Sequence, residues 1–132
     1  MQISRFVALS LAAVLPAVQA DDGWVALDCW VADVTVDGRF VDQDRSLKYD
    51  WQLTKQVCDI TYARDIAQYD PGSGRCVVMR ANSLLSGDRW WKNCQQQAAN
   101  GWYDVDRTTN TVVKNHDPYK SNRAEGRGHN SR

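Results

Sequence analysis

From Trp24 to Val36 the chain alternates: Val25, Leu27, Cys29 and Val31 fall on one side of an extended segment, with Trp24, Asp28 and Trp30 on the other. A period of two is the mark of a half-buried strand. Asp37-Gly38 is a turn signal, and Arg39-Phe40-Val41 is expected to return as a second short strand. From Asp44 the period lengthens. Leu47, Trp51, Thr54 and Cys58 recur at helical spacing, with Leu53 and Val57 beside them, which predicts a helix over about residues 46–58 capped by Asp44 or Ser46. Residues 59–69 follow neither period, and Asp70-Pro71-Gly72-Ser73-Gly74 is a turn.

Residues 75–80 are rich in β-formers, with Cys76, Val78 and Arg80 opposing Val77 and Met79, and are expected as a central strand. Ser86-Gly87-Asp88 then opens a second helix over about residues 88–99. Trp91, Cys94 and Ala98 are placed on its inner stripe, and Asn100-Gly101 is its left-handed stop. Residues 102–106 and 109–113 read as the arms of a hairpin around Arg107-Thr108. The polar run from 115 to 132 has too little apolar surface to offset its ordering entropy and is expected as a disordered, mildly basic tail. Each helical block holds an aspartate near its start (Asp50, Asp88), a tryptophan within a turn of it (Trp51, Trp90), a lysine (Lys55, Lys92) and a cysteine towards its end (Cys58, Cys94), the layout of a degenerate repeat. The expected architecture is α+β: a small antiparallel sheet of four or five strands carrying two short helices.

The N-terminus changes the compartment. Arg5 precedes an apolar stretch from Phe6 to Val18, and Val18-Gln19-Ala20 supplies small residues at the −3 and −1 positions of a signal-peptidase site. The stretch is shorter than the roughly 20 apolar residues that span a bilayer. Residues 1–20 are therefore expected as a cleaved signal peptide, residues 21–114 as one domain, and the protein as secreted. Cys29, Cys58, Cys76 and Cys94 all follow the signal, and an even count in an exported chain reads as two disulfides. Four cysteines allow three pairings, all left open by the sequence. Zinc does not fit, because no C-x-x-C pair occurs and both histidines, His116 and His129, lie in the expected tail.

Charge adds an exclusion. Without residues 1–20 the chain has 15 basic and 16 acidic residues, a net charge of −1, and no basic footprint for nucleic acid. Fifteen of the acids are aspartate and none of the asparagines lies in a glycosylation sequon. The cysteine layout, and above all GRCVVMRANSLLSGDRWWKNCQQQAANGWY with Cys76, Ser86-Gly87-Asp88, Trp91 and Cys94, resembles small secreted proteins of plant-associated filamentous fungi regarded as candidate effectors. The resemblance implies a protein exported to act on a host or a competitor, in a host's extracellular space or carried into host cells. It brings no catalytic residues with it.

A histidine base inside the fold is not expected, since none precedes His116. Asp28, Asp33, Asp104 and Asp106 are formally eligible as a glycosidase pair, but 112 residues leave little room for a substrate cleft. No enzyme, cofactor or metal is expected. Six tryptophans and five tyrosines are the more unusual feature. Trp90 is turned about 100° from the stripe of Trp91 and Cys94, and Trp102 and Tyr103 point to opposite sides of a strand. Arg89, Trp90, Trp102 and Tyr103 are therefore the expected binding patch, of the composition that concentrates interface energy. The expected partner of this monomer is a host protein or receptor. Action as a toxin or antimicrobial on competing microbes and binding of cell-wall polysaccharide are the alternatives.

Overall fold

A computed structural model describes residues 23–132; the expected signal peptide lies outside them. The architecture is α+β, with two helices, several antiparallel sheets and two disulfides among the described residues.

Strand β1 (Gly23–Trp24) leads into β2 (Ala26–Ala32), the middle of the main sheet. Asp33, at φ 54°, ends β2. The expected hairpin follows as β3 (Thr35–Val36) and β4 (Arg39–Phe40), joined by Asp37 and Gly38 at φ 52° and 77°. A two-residue hairpin turn favours two left-handed residues, and Asp-Gly meets that at little steric cost.

β5 (Lys48–Tyr49) pairs with β2 through Tyr49 opposite Trp30 and Lys48 opposite Val31. That pairing keeps residues 46–49 out of the helix predicted for them, so α1 runs over Trp51–Thr61 and its cap is Asp50, whose carboxylate accepts from the Leu53 amide at 2.8 Å. Leu53, Thr54, Val57 and Cys58 form its buried face. β6 (Ala67–Asp70) and β7 (Arg75–Val78) follow as a hairpin. β7 is interior, between β6 and β2, as its β-prone run suggests.

β8 (Leu85–Ser86) pairs with β1, and Ser86 caps α2 (Gly87–Asn100) by accepting from the Arg89 amide at 3.2 Å. Gly101 stops the helix at φ 114°; a side chain there would also meet Pro118 at 2.9 Å. β9 (Asp104–Asp106) and β10 (Thr111–Val113) form the expected hairpin, with Asn110 left-handed at its tip.

The expected disordered tail is instead part of the fold. β11 (Tyr119–Lys120) pairs with β3, and β12 (Arg123–His129) pairs with β2 over its whole length, from Arg123 opposite Ala32 to His129 opposite Ala26. The sheet runs β12-β2-β7-β6. With α1 after β2 and α2 after β7, this is the split βαβ arrangement β-α-β-β-α-β. The domain thus reaches past residue 114 to at least His129. The tail contributes backbone hydrogen bonds and a glycine surface, and the apolar side chains that cover it come from elsewhere in the chain.

Cys29 of β2 is joined to Cys94 of α2, and Cys58 of α1 to Cys76 of β7. Leu27 pairs with Cys76, and Cys29 lies two residues beyond Leu27, so both bridges leave the same face of the sheet. Both helices therefore cover one face, closing a core of Leu27, Cys29, Val31, Leu53, Val57, Val78, Trp90 and Ala98.

Candidate functional site

The other face of the sheet carries no helix among the described residues. Residues in register share a face in an antiparallel pair, so Asp28 and Trp30 of β2 stand beside Arg127 and Glu125 of β12, with Tyr49 of β5 on the opposite flank of Trp30. Arg75 of β7 and His129 of β12 belong to the same surface by their two-residue offsets.

Asp28 is its centre and is only 4% exposed. A buried carboxylate has to be compensated by hydrogen bonds or opposite charge. Asp28 accepts from Trp30 Nε1 at 2.9 Å, contacts His129 Nε2 at 2.9 Å and has Arg75 Nε at 3.7 Å. Above this anchored base lies a row of exposed or half-buried groups. The Arg127 guanidinium sits 3.9 Å over the Trp30 ring and is paired with Glu125 at 2.6 Å. Tyr49 meets Trp30 edge-on at 6.1 Å between centroids, and its hydroxyl donates to the Gly74 carbonyl. Burial, then the neighbouring Tyr69 hydroxyl, raise the Tyr49 phenol well above its ordinary range, so it remains a neutral donor. Arg127, Trp30 and Tyr49 thus form a preset aromatic and cationic strip.

The expected patch is not a surface. Trp90 is 0% and Trp102 1% exposed. Trp90 donates its indole N–H to the Asp28 carbonyl at 2.8 Å, and Trp102 exchanges backbone hydrogen bonds with Tyr119. Arg89 is exposed, but its guanidinium donates to the Thr61 carbonyl, whereas Tyr103 is half-buried with its backbone held by Gln56. The roles of Trp90 and Trp91 are reversed from expectation: Trp90, Cys94 and Ala98 form the inner stripe, and Trp91 is 40% exposed. Both phases place Cys94 inside. What selects the observed one is Gly126, whose missing side chain leaves room for the Trp90 indole. Trp24, expected beside Trp30, instead lies against Gly128 and borders, with Trp91, a cleft of about 220 Å³.

Both histidines, expected outside the fold, are set against aspartates. His116 Nε2 is 3.0 Å from Asp104 and its Nδ1 contacts the Asp117 carbonyl. Both nitrogens facing acceptors requires the protonated ring. The Asp117 carbonyl first, then Asp104, raise the affinity of His116 for its proton. Burial opposes ionisation of Asp104, but the Tyr119 hydroxyl and His116 outweigh it and hold that carboxyl below its ordinary value. His129 directs Nε2 to Asp28, and its Nδ1 has no hydrogen-bond partner among the described residues.

The chain matches no family model, no curated protein and no solved structure.

The four aspartates eligible as a catalytic pair are each committed to separate partners. Asp28 is held as above and Asp104 by His116 and Tyr119. Asp33 pairs with Arg45 and Arg123, which bring its carboxyl down to about 2, and Asp106 accepts from the amides of Thr108 and Thr109. Among the described residues no group of three or more His, Cys, Asp or Glu side chains is arranged to hold a metal ion, and no helix is long and apolar enough to cross a membrane.

Proposed function

We propose that this chain is an exported, non-enzymatic protein of the effector type that binds a partner protein through the helix-free face of its sheet. The observation that carries the reading is the Arg127–Trp30–Tyr49 strip. Tryptophan, tyrosine and arginine are the residue types that dominate interface energies, and here they are fixed in place before any partner arrives. The buried Asp28 beneath them orders Trp30 and His129, so little side-chain entropy remains to be lost on binding. Two disulfides suit such a scaffold to an oxidising extracellular space. A further support is the commitment of every candidate catalytic carboxylate to its own structural partners.

The test is capture from host extract by the wild type, by a Trp30→Ala, Arg127→Ala double variant and by an Arg89→Ala control. Loss of a specific partner with the double variant and its retention with Arg89→Ala supports the reading. Equal capture by all three removes the face from consideration. Growth inhibition of competing microbes by the purified protein, undiminished in the double variant, would favour the toxin alternative.

A second reading, binding of cell-wall polysaccharide, is favoured by the cleft between Trp24 and Trp91, which is also lined by Gly87, Gly126 and Gly128. Two indoles flanking a cleft suit the apolar faces of a sugar ring. Sedimentation with insoluble chitin, glucan or cellulose decides it, with no depletion from solution ending the idea.

A further inference from the structure

Helix α1 carries one cation inside the molecule. Lys55 is 5% exposed, and its ammonium has a single protein partner among the described residues, Asp59 one turn later, at 2.6 Å. An ammonium offers three protons, so two have no protein acceptor. Asp59 is itself 46% exposed and shares its charge with solvent. Lysine is among the residues least often buried without full pairing, so these free donors at an inward position call for an acceptor.

The amine borders a cleft of about 300 Å³ assembled from three separate stretches of chain: Lys55 and Asp59 on α1, Arg64 and Gln68 before and within β6, and Asn110 at the tip of the β9–β10 hairpin. Asn110 is held there by its left-handed backbone, φ 61°. Arg64 is exposed, and its only side-chain hydrogen bond among the described residues is a long one of 3.4 Å to Gln68 Oε1, which leaves most of its donor fork open. Two cations and Asn110 thus line the cleft with one carboxylate, a net charge of about +1 with donors in excess of acceptors.

We infer that this cleft binds a small tetrahedral oxyanion of the phosphate or sulfate type. Lys55 supplies a fixed, poorly hydrated charge and Arg64 a planar fork suited to two oxygens. Asn110 adds an amide to the lining. The site is separate from the sheet face proposed for partner binding and stands or falls independently of it. The oxyanion is either a free ion or the terminal group of a larger molecule such as a sugar phosphate, and the recognising chemistry is the same.

Amide-detected NMR titration of the isotopically labelled full chain tests this, with sodium phosphate, sodium sulfate and a sugar phosphate monoester, each against sodium chloride at matched ionic strength. The expected result is a saturable shift confined to the amides around Lys55, Arg64, Gln68 and Asn110. Affinity should fall by about tenfold or more in Lys55→Met and in Arg64→Gln, the loss of one charge-assisted hydrogen bond, and stay unchanged in Lys92→Gln, an exposed cation on α2. Saturation by the inorganic ions identifies a free-ion site, and saturation by the monoester alone identifies a terminal group. Should Lys55→Met lose its dispersed spectrum, Arg64→Gln decides alone, because that side chain is at the surface. Shifts no larger than those from chloride, or equal binding by Arg64→Gln, overturn the proposal.

Discussion

Gly126 of β12 lies directly beneath the Trp90 indole of α2: a methyl group at that glycine would overlap the ring and stand 2.9 Å from Trp91 Cα. The largest buried side chain of the helix thus occupies the volume that the last strand leaves empty. Gly128 does the same for Trp24.

Gly126→Ala should therefore lower stability by about 1–3 kcal/mol, the usual cost of overpacking a filled core. Gly72→Ala is the control, since its nearest side-chain atom stands 3.5 Å away at an exposed turn. Urea unfolding midpoints compare the two. Equal midpoints would mean that the helix and strand separate without cost.

Truncation gives a larger effect. A chain ending at Lys114 loses β11 and β12, and with them the strand that pairs with β2 along its length and the cover of Trp90. It should fail to fold, showing no near-ultraviolet circular dichroism and no cooperative thermal transition. A sharp transition within a few degrees of the full chain would show the C-terminal strand to be dispensable.

The two disulfides should differ in worth. Cys29–Cys94 closes a separation of 65 residues and Cys58–Cys76 one of 18. Loop-closure entropy assigns them about 4 and about 3 kcal/mol. All four sulfurs belong to fully buried residues, so the paired alanine replacements leave similar voids and the comparison is fair. Guanidinium unfolding of Cys29→Ala, Cys94→Ala against Cys58→Ala, Cys76→Ala should show the first pair to be the more costly. The reverse order would place the main effect in the native packing.

The His116–Asp104 contact sets a pH window. The proton affinity of His116 is raised above its ordinary 6.5, so its contribution is complete below that pH and is lost as pH rises through the elevated value. The pKa of Asp104 is lowered from 3.8, so its contribution is present above that pH and is lost as pH falls through the depressed value. The stability difference between wild type and His116→Gln should be widest between pH 3.8 and 6.5 and shrink on either side. Thermal melts across this range measure it, and a difference independent of pH would show that the ring acts by packing alone.

Local elements were readable because their causes are local. Asp37-Gly38 satisfies its turn within two residues, Ser86 caps α2 across one helical turn, and the β-forming run at Cys76–Val78 needs only its own side chains. The site was not readable. The expected patch of Arg89, Trp90, Trp102 and Tyr103 failed because helical period alone admits either Trp90 or Trp91 beside Cys94, and the deciding residue is Gly126, more than thirty positions away. Trp30 was placed on the strand side opposite Cys29, but its neighbours Arg127 and Tyr49 reach it only through strand register.

By itself the amino-acid sequence determined the α+β class, the two helices, the β3–β4 and β9–β10 hairpins and the cysteine inventory, since periodicity, caps and turn residues act over a few positions. Tertiary structure alone decided the cysteine pairing, the recruitment of residues 119–129 into the sheets and the assembly of the Trp30 strip. Those depend on contacts between distant segments. A strand with few apolar side chains of its own is held by its neighbours' hydrogen bonds and by the tryptophans that its glycines admit.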